Sequence, residues 1–397
     1  MASQFAGSIF ATAPPHIHFA SETRCLFGRR KMDKRYTTFG FQEKHSNHHA
    51  PDIHRRFVLF QQPRHVKYVQ NAGYVSNSFL SDERTPDWNI SPVESAQNGV
   101  DVLFRFSRPY AAMATVLSVL STSLLAVERF SDVSPLFIIK VLQAIFGGIF
   151  MQIYVCGFNQ ICDIEIDKIN KPYLPLPAGE LTMSSAIMVT TLSAIMSFSI
   201  VWISGSWPLF CGLFCWFLIG TAYSANVLPL LRWKRFPYTA VLYMINSRAL
   251  AIPCGYYVHV QNAIKGGVVV LSRRHLFSIG MLFVFSVVLI LFKDIPDIEG
   301  DEMHGIKSLA SQIGPDRMFW SCIWLLGIAY TFTIIIGATS SSTWSKYVTI
   351  LGHLVTLLAL YVRAKSVDLK SISSISSMYL FLWKLFYVEY LLLPLVR

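Results

Sequence analysis

Two short acidic stretches are the part of the sequence whose residue types and spacing could do chemistry. The first runs from Asn159 to Pro172 and reads NQICDIEIDKINKP. Asn159, Asp163 and Asp167 follow one another at intervals of four, so a helix would place their side chains on one face. Pro172 cannot continue that helix, because its ring and its missing N–H break the hydrogen-bond ladder. This stretch therefore predicts an acidic helix face that ends at the proline.

The second stretch repeats the pattern later in the chain, where Lys293 to Asp301 read KDIPDIEGD. Asp297 and Asp301 are again four residues apart, and Asp294 precedes Asp297 by three. Ten of the fifteen acidic residues of 101–397 lie within 163–180 and 294–316. The acids of this part of the chain are therefore concentrated in two places.

Carboxylates one helical turn apart repel each other, so a counter-charge is expected at both stretches. Mg²⁺ binds through one or two carboxylates, keeps several waters and bridges to phosphate oxygens. Two acidic faces joined through Mg²⁺ to one diphosphate would relieve the repulsion and create a binding site. Solvated loop acids or helix caps are the ordinary alternative, and a single DxxxD would favour it. Two copies, each beside basic residues and an apolar run, favour a functional site.

Nine apolar runs provide the elements that must position these stretches. Each is long enough to cross about 30 Å of hydrocarbon as a helix. The strands of a membrane barrel would be about 10 residues long and alternating, which the sequence does not show. The predicted spans are 110–127, 135–158, 184–203, 208–228, 238–258, 276–292, 318–337, 346–363 and 377–396. The predicted fold class is therefore an all-α membrane protein with nine transmembrane helices.

The composition agrees with a membrane domain and excludes several other classes. Of the 397 residues, 53% are hydrophobic and 14% are charged, and the mean hydropathy is +0.44. These values exclude a soluble enzyme, a disordered chain and, with seven irregularly spaced cysteines, a disulfide scaffold. The net charge of +11 is spread along the chain without a continuous basic stripe, so no nucleic-acid partner is expected.

Basic residues in the loops predict the orientation in the bilayer. The face that carries the lead-in and the 2–3, 4–5, 6–7 and 8–9 loops holds thirteen of them, and the opposite face holds seven. The thirteen are Arg105, Arg108, Lys168, Lys171, Arg232, Lys234, Arg235, Lys293, Lys307, Arg317, Arg363, Lys365 and Lys370. This face is expected to be the cytosolic or organelle-matrix side, and both acidic stretches lie on it.

The N-terminal segment is predicted to be a targeting leader. Its first twenty-one residues contain no acidic group and are rich in small residues, and Arg24, Arg29, Arg30 and Lys31 follow. It has no continuous apolar core of the secretory type, and basic, acid-poor leaders of this kind are typical of organelle transit peptides. We expect 1–70 to be a disordered transit peptide, 71–102 a linker and 103–397 the membrane domain.

At the two acidic stretches the sequence resembles the UbiA superfamily of intramembrane prenyltransferases. The first stretch matches the NQxxDxxxD motif of that family, and the second matches the KDxxDxEGD form of the plant aromatic prenyltransferases of homogentisate, flavonoids and coumarins. Further plant-type matches are FSRP at 106–109, NKP at 170–172, LRWKRFP at 231–237 and the pair His259 and Gln261. A proline at position 177 departs from the PLASGE or PLVSGE of many relatives and stiffens the 2–3 loop.

This resemblance implies an enzyme with a UbiA-type bundle whose central cavity is capped on the cis side. It implies a multi-pass protein of the plastid (chloroplast) membrane whose motif loops face the stroma. The implied partners are an allylic diphosphate, a phenolic acceptor and the lipid bilayer, and association with other prenyltransferase subunits is a further candidate. The implied cofactor is Mg²⁺.

The resemblance also assigns candidate site residues. The catalytic candidates are Asp163, Asp167, Asp297 and Asp301. The Mg²⁺ ligands would be Asn159, Asp163, Asp167, Asp294, Asp297 and Asp301. The diphosphate would contact Asn159, Lys171, Arg232, Lys234 and Lys293. Arg248, inside the predicted fifth span, would contact the acceptor or diphosphate or pair internally, since a buried arginine is costly without a partner.

The function implied by the resemblance is Mg²⁺-dependent transfer of a prenyl group, preferably dimethylallyl, to an aromatic carbon of a plant phenolic such as a flavonoid or coumarin, with release of diphosphate. A homogentisate phytyl- or solanesyltransferase of tocopherol or plastoquinone synthesis is the alternative within the family. A cation-coupled membrane transporter is the alternative of another class. Transporters more often place their charges near the bilayer midplane in broken helices of repeated halves, whereas here the charges lie at helix ends on one face.

Overall fold

The computed structural model describes residues 92–226, 231–266 and 269–396, and in these ranges the chain is helical without a β-strand. The helices are α1 Pro92–Phe106, α2 Pro109–Ala126, α3 Pro135–Cys162, α4 Ile164–Asn170, α5 Met183–Ser204, α6 Trp207–Ser224, α7 Pro237–Arg248, α8 Ala251–Lys265, α9 Arg273–Lys293, α10 Ile298–Met303, α11 Leu309–Ile313, α12 Pro315–Ala338, α13 Thr343–Lys365 and α14 Ile372–Leu392. The all-α class predicted from the sequence is confirmed.

Eight of the described helices are long and apolar enough to cross a membrane, namely α2, α3, α5, α6, α9, α12, α13 and α14. The predicted count of nine is not confirmed. The stretch predicted as the fifth span, 238–258, instead belongs to α7 and α8, which have 12 and 15 residues and are separated by Ala249 and Leu250. Leu250 has φ −108° and ψ −91°, outside the helical region, so the helix is interrupted between Arg248 and Ala251.

The predicted leader, 1–70, lies outside the described residues, as does the first part of the predicted linker. The last part of that linker is helical, because α1 begins at Pro92. Val100, Leu103 and Phe104 are exposed on α1, whereas Phe106 at its end is fully buried. A residue in the left-handed region, Arg108 with φ 53°, turns the chain from α1 into α2.

The helices pack around two large apolar cores, beside a small cluster of Phe106, Leu176 and Ala186. One core is built mainly from α9, α12 and α14, and the other from α3, α6 and α8. The helix α2 contributes to both, with Ala111 and Ala114 in the first core and Val119 and Leu125 in the second. The seam between the two cores is therefore lined by α2 and by the helices that face it from either side.

Glycines allow the helices of the second core to approach closely. A Cβ on Gly255 of α8 would lie 3.2 Å from Gly212 Cα and 3.1 Å from the Pro208 carbonyl oxygen of α6. Small residues at such crossings let helix backbones come together in membranes. This contact packs α8 closely against α6 after the break at Leu250.

Candidate active site

A cavity at one end of the seam brings the predicted residues together. It lies among α2, α3, α6, α7, α9 and α14, and the short helices α4 and α10 border it. Ten of the candidate residues line it: Asn159, Asp163, Asp167, Lys171, Lys234, Arg248, Lys293, Asp294, Asp297 and Asp301. Arg232 reaches the same cluster through its contact with Asp163.

The helical spacing predicted for the first stretch survives a change of helix. The chain leaves α3 at Cys162, and Asp163 itself has φ −113° and ψ 12° before α4 begins. The amide N–H of Asp163 still donates to the Asn159 carbonyl at 3.0 Å, and that of Asp167 donates to the Asp163 carbonyl at 2.8 Å. The three side chains therefore share one face, as the spacing predicted.

Asp163 is the tightly compensated carboxylate of the first stretch. Lys234 Nζ lies 2.5 Å from its Oδ1, and Arg232 Nη2 lies 3.7 Å from the same oxygen. Asn159 Nδ2 donates to Asp163 Oδ2 at 2.6 Å. Both cations come from the loop before α7, so this loop closes over the end of α3.

Asp167 is compensated more loosely. Lys171 Nζ lies 3.8 Å from its Oδ1, and Arg108 Nη2 lies 4.0 Å from its Oδ2. Oδ2 is buried and accepts no hydrogen bond from a described residue. Burial raises the pKa of this carboxyl group, although the neighbouring cations oppose the rise. One oxygen of Asp167 is thus free to accept another ligand.

In the second stretch Asp297 is the tightly compensated carboxylate, as Asp163 is in the first. Lys171 Nζ donates to both Asp297 oxygens at 2.7 Å, and Lys293 Nζ donates to Oδ2 at 3.2 Å. Burial alone would raise the pKa of Asp297, but the two ammonium groups outweigh it and hold the pKa at about 2. Asp294 lies 3.1 Å from Lys293 Nζ, and burial raises its pKa.

Asp301 has no cation within 4.0 Å among the residues that the structure describes. Its side chain is nevertheless buried at the cavity wall. Burial raises its pKa to about 6, because the more distant Lys293 and Lys234 offset the desolvation only in part. Asp301 is the counterpart of Asp167 in the second stretch.

Two neighbouring residues tie the acidic stretches to each other. Lys171, at the end of α4, forms the ion pair with Asp297 across the cavity. Asn170 Nδ2 donates to the Asp297 carbonyl at 3.0 Å, and the Gly300 N–H donates to Asn170 Oδ1 at 3.0 Å. A Cβ on Gly300 would lie 2.3 Å from Asn170 Oδ1, so only glycine allows this contact. The packing of α4 against α10 therefore determines the distance between the two acidic clusters.

Arg108 is a site residue that the sequence reasoning did not select. Its Nη2 donates to Asn159 Oδ1 at 3.1 Å and approaches Asp167. Arg108 and Arg232 are the non-glycine residues with positive φ in the described chain, at 53° and 60°. Such conformations cost about 1–3 kcal/mol and cluster at functional sites. The signal was present in the FSRP match, but nothing local showed that the loop before α2 meets the end of α3.

Aromatic rings line the cavity beyond the charged groups. Tyr110 packs against Tyr379 and Trp383, with ring centroids 6.3 and 5.3 Å apart, and Tyr223 stacks on Tyr243 at 4.4 Å. The faces of such rings attract cations. The sequence reasoning named no aromatic residue for the site, because aromatic residues make up 14% of the chain and most of them pack elsewhere.

Arg248 also lines the cavity and is buried, with 6% of its surface exposed. It pairs internally with neutral groups: Nη1 donates to Thr115 Oγ1 at 3.1 Å and Nη2 to Gln152 Oε1 at 2.8 Å. One of the roles foreseen for it, internal pairing, is therefore observed, and it also faces the cavity.

The donor chemistry of the charged end fits Mg²⁺. No three Asp, Glu, His or Cys side chains of the described chain converge into a ready-made metal site. Mg²⁺ does not require one, since it is usually held by one or two carboxylates together with substrate phosphates. Asp167 and Asp301 supply hard oxygen ligands with spare capacity, one in each cluster. Asn159, Asp163, Asp294 and Asp297 complete the set of oxygens around them.

The site as a whole is close to charge balance. Five aspartates face five cations, which are Arg108, Lys171, Arg232, Lys234 and Lys293. A diphosphate entering this site would bring an excess of negative charge, which divalent cations would compensate. The arrangement can therefore bind a diphosphate and stabilise it further as it becomes a leaving group.

Comparisons with known proteins agree with this reading. The model of the UbiA prenyltransferase family matches residues 113–385. Homogentisate phytyltransferase 1, chloroplastic, from Arabidopsis thaliana is 48% identical over 307 residues, which cover 77% of this chain and 78% of that protein. Naringenin 8-dimethylallyltransferase 2, chloroplastic, from Sophora flavescens is 43% identical over 335 residues, covering 83% and 81%.

A solved structure shares the fold. The UbiA homolog from Archaeoglobus fulgidus bound to GPP and Mg²⁺ superposes with a TM-score of 0.52 and 18% identity, over 74% of this chain and 99% of that one. At this identity the likeness concerns the fold alone.

Proposed function

Because the chain belongs to the UbiA prenyltransferase family, and is an aromatic prenyltransferase by its relatives, we propose that it transfers a prenyl group from an allylic diphosphate to a phenolic acceptor with Mg²⁺ as cofactor. The acceptor class favoured by the sequence is a plant phenolic such as a flavonoid or coumarin, with dimethylallyl diphosphate as donor. A C–O bond of the donor breaks and a C–C bond to the ring forms. The ring then loses a proton, which restores its aromaticity.

One observation carries this proposal: two acidic clusters from distant parts of the chain line a single cavity together with Arg108, Lys171, Lys234 and Lys293, and a further cation, Arg232, contacts Asp163. A cation transporter would need carboxylates that hold and release ions along a path. Here Lys171 and Asn170 connect the two acidic stretches through an ion pair and a hydrogen bond at one end of the helix bundle. The transporter alternative is not supported, and the relatives are named as transferases.

The residues of this chain divide the work at the charged end. The cations of the site would bind diphosphate oxygens and stabilise the charge that develops there as the C–O bond breaks. They are Arg108, Lys171, Arg232, Lys234 and Lys293. Asp167 and Asp301, with Asn159, Asp163, Asp294 and Asp297 around them, would hold Mg²⁺, and when bound Mg²⁺ would supply Lewis-acid chemistry at the diphosphate.

The aromatic wall takes part in the next step. Tyr110, Tyr379 and Trp383 form one side of the cavity below the charged end. Their ring faces stabilise the allylic cation and exclude water, which would otherwise capture it. The acceptor ring then attacks the cation in this dry part of the cavity.

Homogentisate is a second candidate acceptor, because the homogentisate phytyltransferase is more similar to this chain than the flavonoid enzyme, at 48% against 43% identity. Homogentisate carries a carboxylate on a short arm, whereas flavonoids and coumarins of the usual kind do not. The two candidate acceptors therefore differ by one negative charge.

The location follows from the relatives and the helices. The chain has several membrane-spanning helices and its relatives are named chloroplastic. We place it in a plastid membrane with both acidic clusters facing the stroma, because the thirteen basic residues of that face outnumber the seven opposite. Residues 1–70 would act as the transit peptide. Import of a fluorescent protein fused to 1–70, and protease protection of the clusters in intact plastids, test these two points.

The function is tested with membranes of cells that express the full chain. They are supplied with Mg²⁺, a panel of allylic diphosphates and a panel of phenols that includes homogentisate, flavonoids and coumarins. Asp163→Ala and Asp297→Ala should lose transfer, while Lys384→Ala on the exposed side of α14 should keep it. Full activity of either aspartate variant would contradict the scheme. Turnover of homogentisate alone would replace the flavonoid acceptor by the second candidate.

A further inference from the structure

A lysine of the spanning helix α14 faces away from the helix bundle. The side chain of Lys384 is exposed, whereas the flanking Trp383 and Leu385 are buried in the core. Within 92–226, 231–266 and 269–396, no ion pair and no side-chain hydrogen bond includes Lys384. The outer face of α14 therefore carries a cation that the described chain does not neutralise.

Lys384 lies at the middle of its span. The apolar span that contains α14 runs from Ile372 to Leu395, and Lys384 is close to its centre. At 1.5 Å per residue, each end of the span is about 17–18 Å from Lys384. The aliphatic stem of a lysine covers only about a third of that distance, so its ammonium group does not reach a membrane surface by bending along the helix. The charge is therefore held at mid-bilayer depth.

The spanning helices of the described chain supply no anion to Lys384. Glu389, the acid of α14, lies about 140° around the helix from Lys384, because each residue turns the helix by about 100°. Glu389 is fully buried, and its Oε1 lies 3.3 Å from His353 Nε2 of α13. The other acid of the eight spanning helices is Asp316, in the first turn of α12. A counter-ion for Lys384 must therefore come from elsewhere.

Lys384 lies in an open groove between α13 and α14, which we call the Lys384 groove. Its walls include Leu351, Val355 and Ala359 of α13 and Phe381, Lys384 and Val388 of α14. Leu351 and Val355 are 57% and 64% exposed. Gly352 and Thr356 also line the groove, and small residues of this kind let a neighbouring helix approach closely in membranes. The groove therefore offers an apolar surface for a helix, with one positive charge near its middle.

We propose that the Lys384 groove binds a transmembrane helix of another membrane protein, and that an aspartate or glutamate of that helix pairs with Lys384 at mid-bilayer depth. Ionisable residues within spans are costly and almost always pair with another group. A lipid tail supplies no anion, and a lipid headgroup stays outside the hydrocarbon core, beyond the reach of this ammonium group. The charge therefore favours a protein helix over a lipid. This assembly in the membrane is independent of the proposed prenyl transfer.

A second copy of this chain does not fit the same groove. In a two-fold dimer the same patch meets itself, which would bring two Lys384 side chains together without an anion. A contact between different faces of two copies would need an exposed acid in the middle of another span. The described spans contain only Asp316 at a helix end and the fully buried Glu389. The partner is therefore a different protein.

The first test uses model helices as the partner. Single-span peptides of leucine and alanine carry Glu, Gln or Leu at the central position. They are reconstituted into lipid vesicles with the full chain, and association is measured by energy transfer between fluorescent labels. The Glu helix should associate at least about tenfold more tightly than the Gln and Leu helices, which lack a charged hydrogen bond to Lys384. Equal association of the three helices would overturn the proposal.

Three variants locate the contact. Lys384→Met removes the charge at similar length and should abolish the preference for the Glu helix. Lys384→Glu should reverse the preference, so that a model helix with a central lysine associates best. Lys346→Met, in the first turn of α13, removes a lysine near the end of a span and is the matched control, which should keep the preference. A preference that survives Lys384→Met, or that Lys346→Met also abolishes, would contradict the proposal.

The second test looks for the natural contact. Membranes of plant cells that produce the full chain are treated with a membrane-permeant carbodiimide, which joins a lysine amine to a carboxylate that touches it. Mass spectrometry should find Lys384 joined to an aspartate or glutamate within a transmembrane span of a different protein. Lys384 joined to an acid of its own chain or of a second copy, or not joined to any acid, would overturn the proposal.

This proposal and the proposed function fail in different ways. If the full chain transfers no prenyl group but prefers the Glu helix, the proposed function is wrong and the Lys384 groove stands. If it transfers a prenyl group but binds the three model helices equally, the function stands and the groove assignment falls. If Lys384→Met does not accumulate, the comparison of the three helices with the unmodified protein still decides.

Discussion

The two acidic clusters look alike in the sequence and differ in how they are held. Each contains a pair of aspartates four residues apart, Asp163 with Asp167 and Asp297 with Asp301. The first cluster receives its close cation, Lys234, from the distant loop before α7. The second receives Lys293 from one turn earlier in its own chain and Lys171 from the first cluster. The second cluster is therefore held partly by the first.

Each cluster has one aspartate close to a cation and one that is compensated only loosely. Asp163 and Asp297 have cations within 2.5 to 2.7 Å, whereas the nearest cation to Asp167 is 3.8 Å away. Asp301 has none within 4.0 Å among the described residues. One carboxylate of each pair holds the structure together, and the other keeps its capacity for an incoming cation. This division can be broken experimentally.

The largest effect is expected from the two loosely held carboxylates. Asp167→Asn and Asp301→Asn keep the shape of the side chain but remove the charge that an incoming divalent cation requires. Transfer should fall by about 1,000-fold in each variant, the size of loss seen when a group that stabilises developing charge is removed. Transfer rates at saturating Mg²⁺ give the measurement. Glu165→Gln and Glu299→Gln, exposed acids of the same stretches, are the matched controls and should stay active.

Equal activity of Asp301→Asn and Glu299→Gln would contradict this division. It would mean that the exposed and the buried acid of the second stretch contribute alike. The four-residue spacing would then have no role beyond the helix.

A smaller effect, on stability, is expected from the tightly held carboxylate of the second cluster. Asp297→Asn leaves the ammonium groups of Lys171 and Lys293 without their closest anion. Removing one partner of a buried ion pair costs about 3 kcal/mol or more, so Tm in detergent should fall. Asp301→Asn breaks no close pair and should leave Tm nearly unchanged. A lower Tm for Asp301→Asn than for Asp297→Asn would reverse the assignment of the two roles.

The smallest effect concerns pH. Burial raises the pKa of Asp301 to about 6, while Lys171 and Lys293 hold that of Asp297 at about 2. On acidification Asp301 is therefore protonated before Asp297, and its carboxylate is lost as the pH falls through about 6. Transfer at limiting Mg²⁺ should drop by about fivefold between pH 6 and pH 5, with one proton involved.

Raising the Mg²⁺ concentration should move this midpoint to lower pH, because the cation and the proton compete for the same carboxylate. The measurement is the pH profile of kcat/KM at two Mg²⁺ concentrations. A midpoint near pH 4, or one that does not respond to Mg²⁺, would show that Asp301 is not the titrating ligand.

Local sequence patterns predict the fold class and identify the acids of the site. Apolar runs near bilayer length predict spanning helices because a helix is the local solution to backbone hydrogen bonding in lipid. The four-residue interval of Asp163 and Asp167 predicts a shared face because it matches one helical turn. Both inferences use neighbours in the chain. The structure has eight described helices of spanning length and composition where nine were predicted, and it confirms the shared face.

Which charges meet depends on how the helices pack against one another. Lys171 pairs with Asp297, 126 residues away, and Arg248 bonds to Thr115, 133 residues away. Arg108 entered the site unforeseen, and the predicted fifth span divided into α7 and α8 at Leu250. Such contacts depend on how the helices pack side by side, and the close approach of Gly212 and Gly255 is one cause of that packing. The spacing of residues along one helix contains no information about which helix packs beside it. These contact partners could therefore be identified only from the structure.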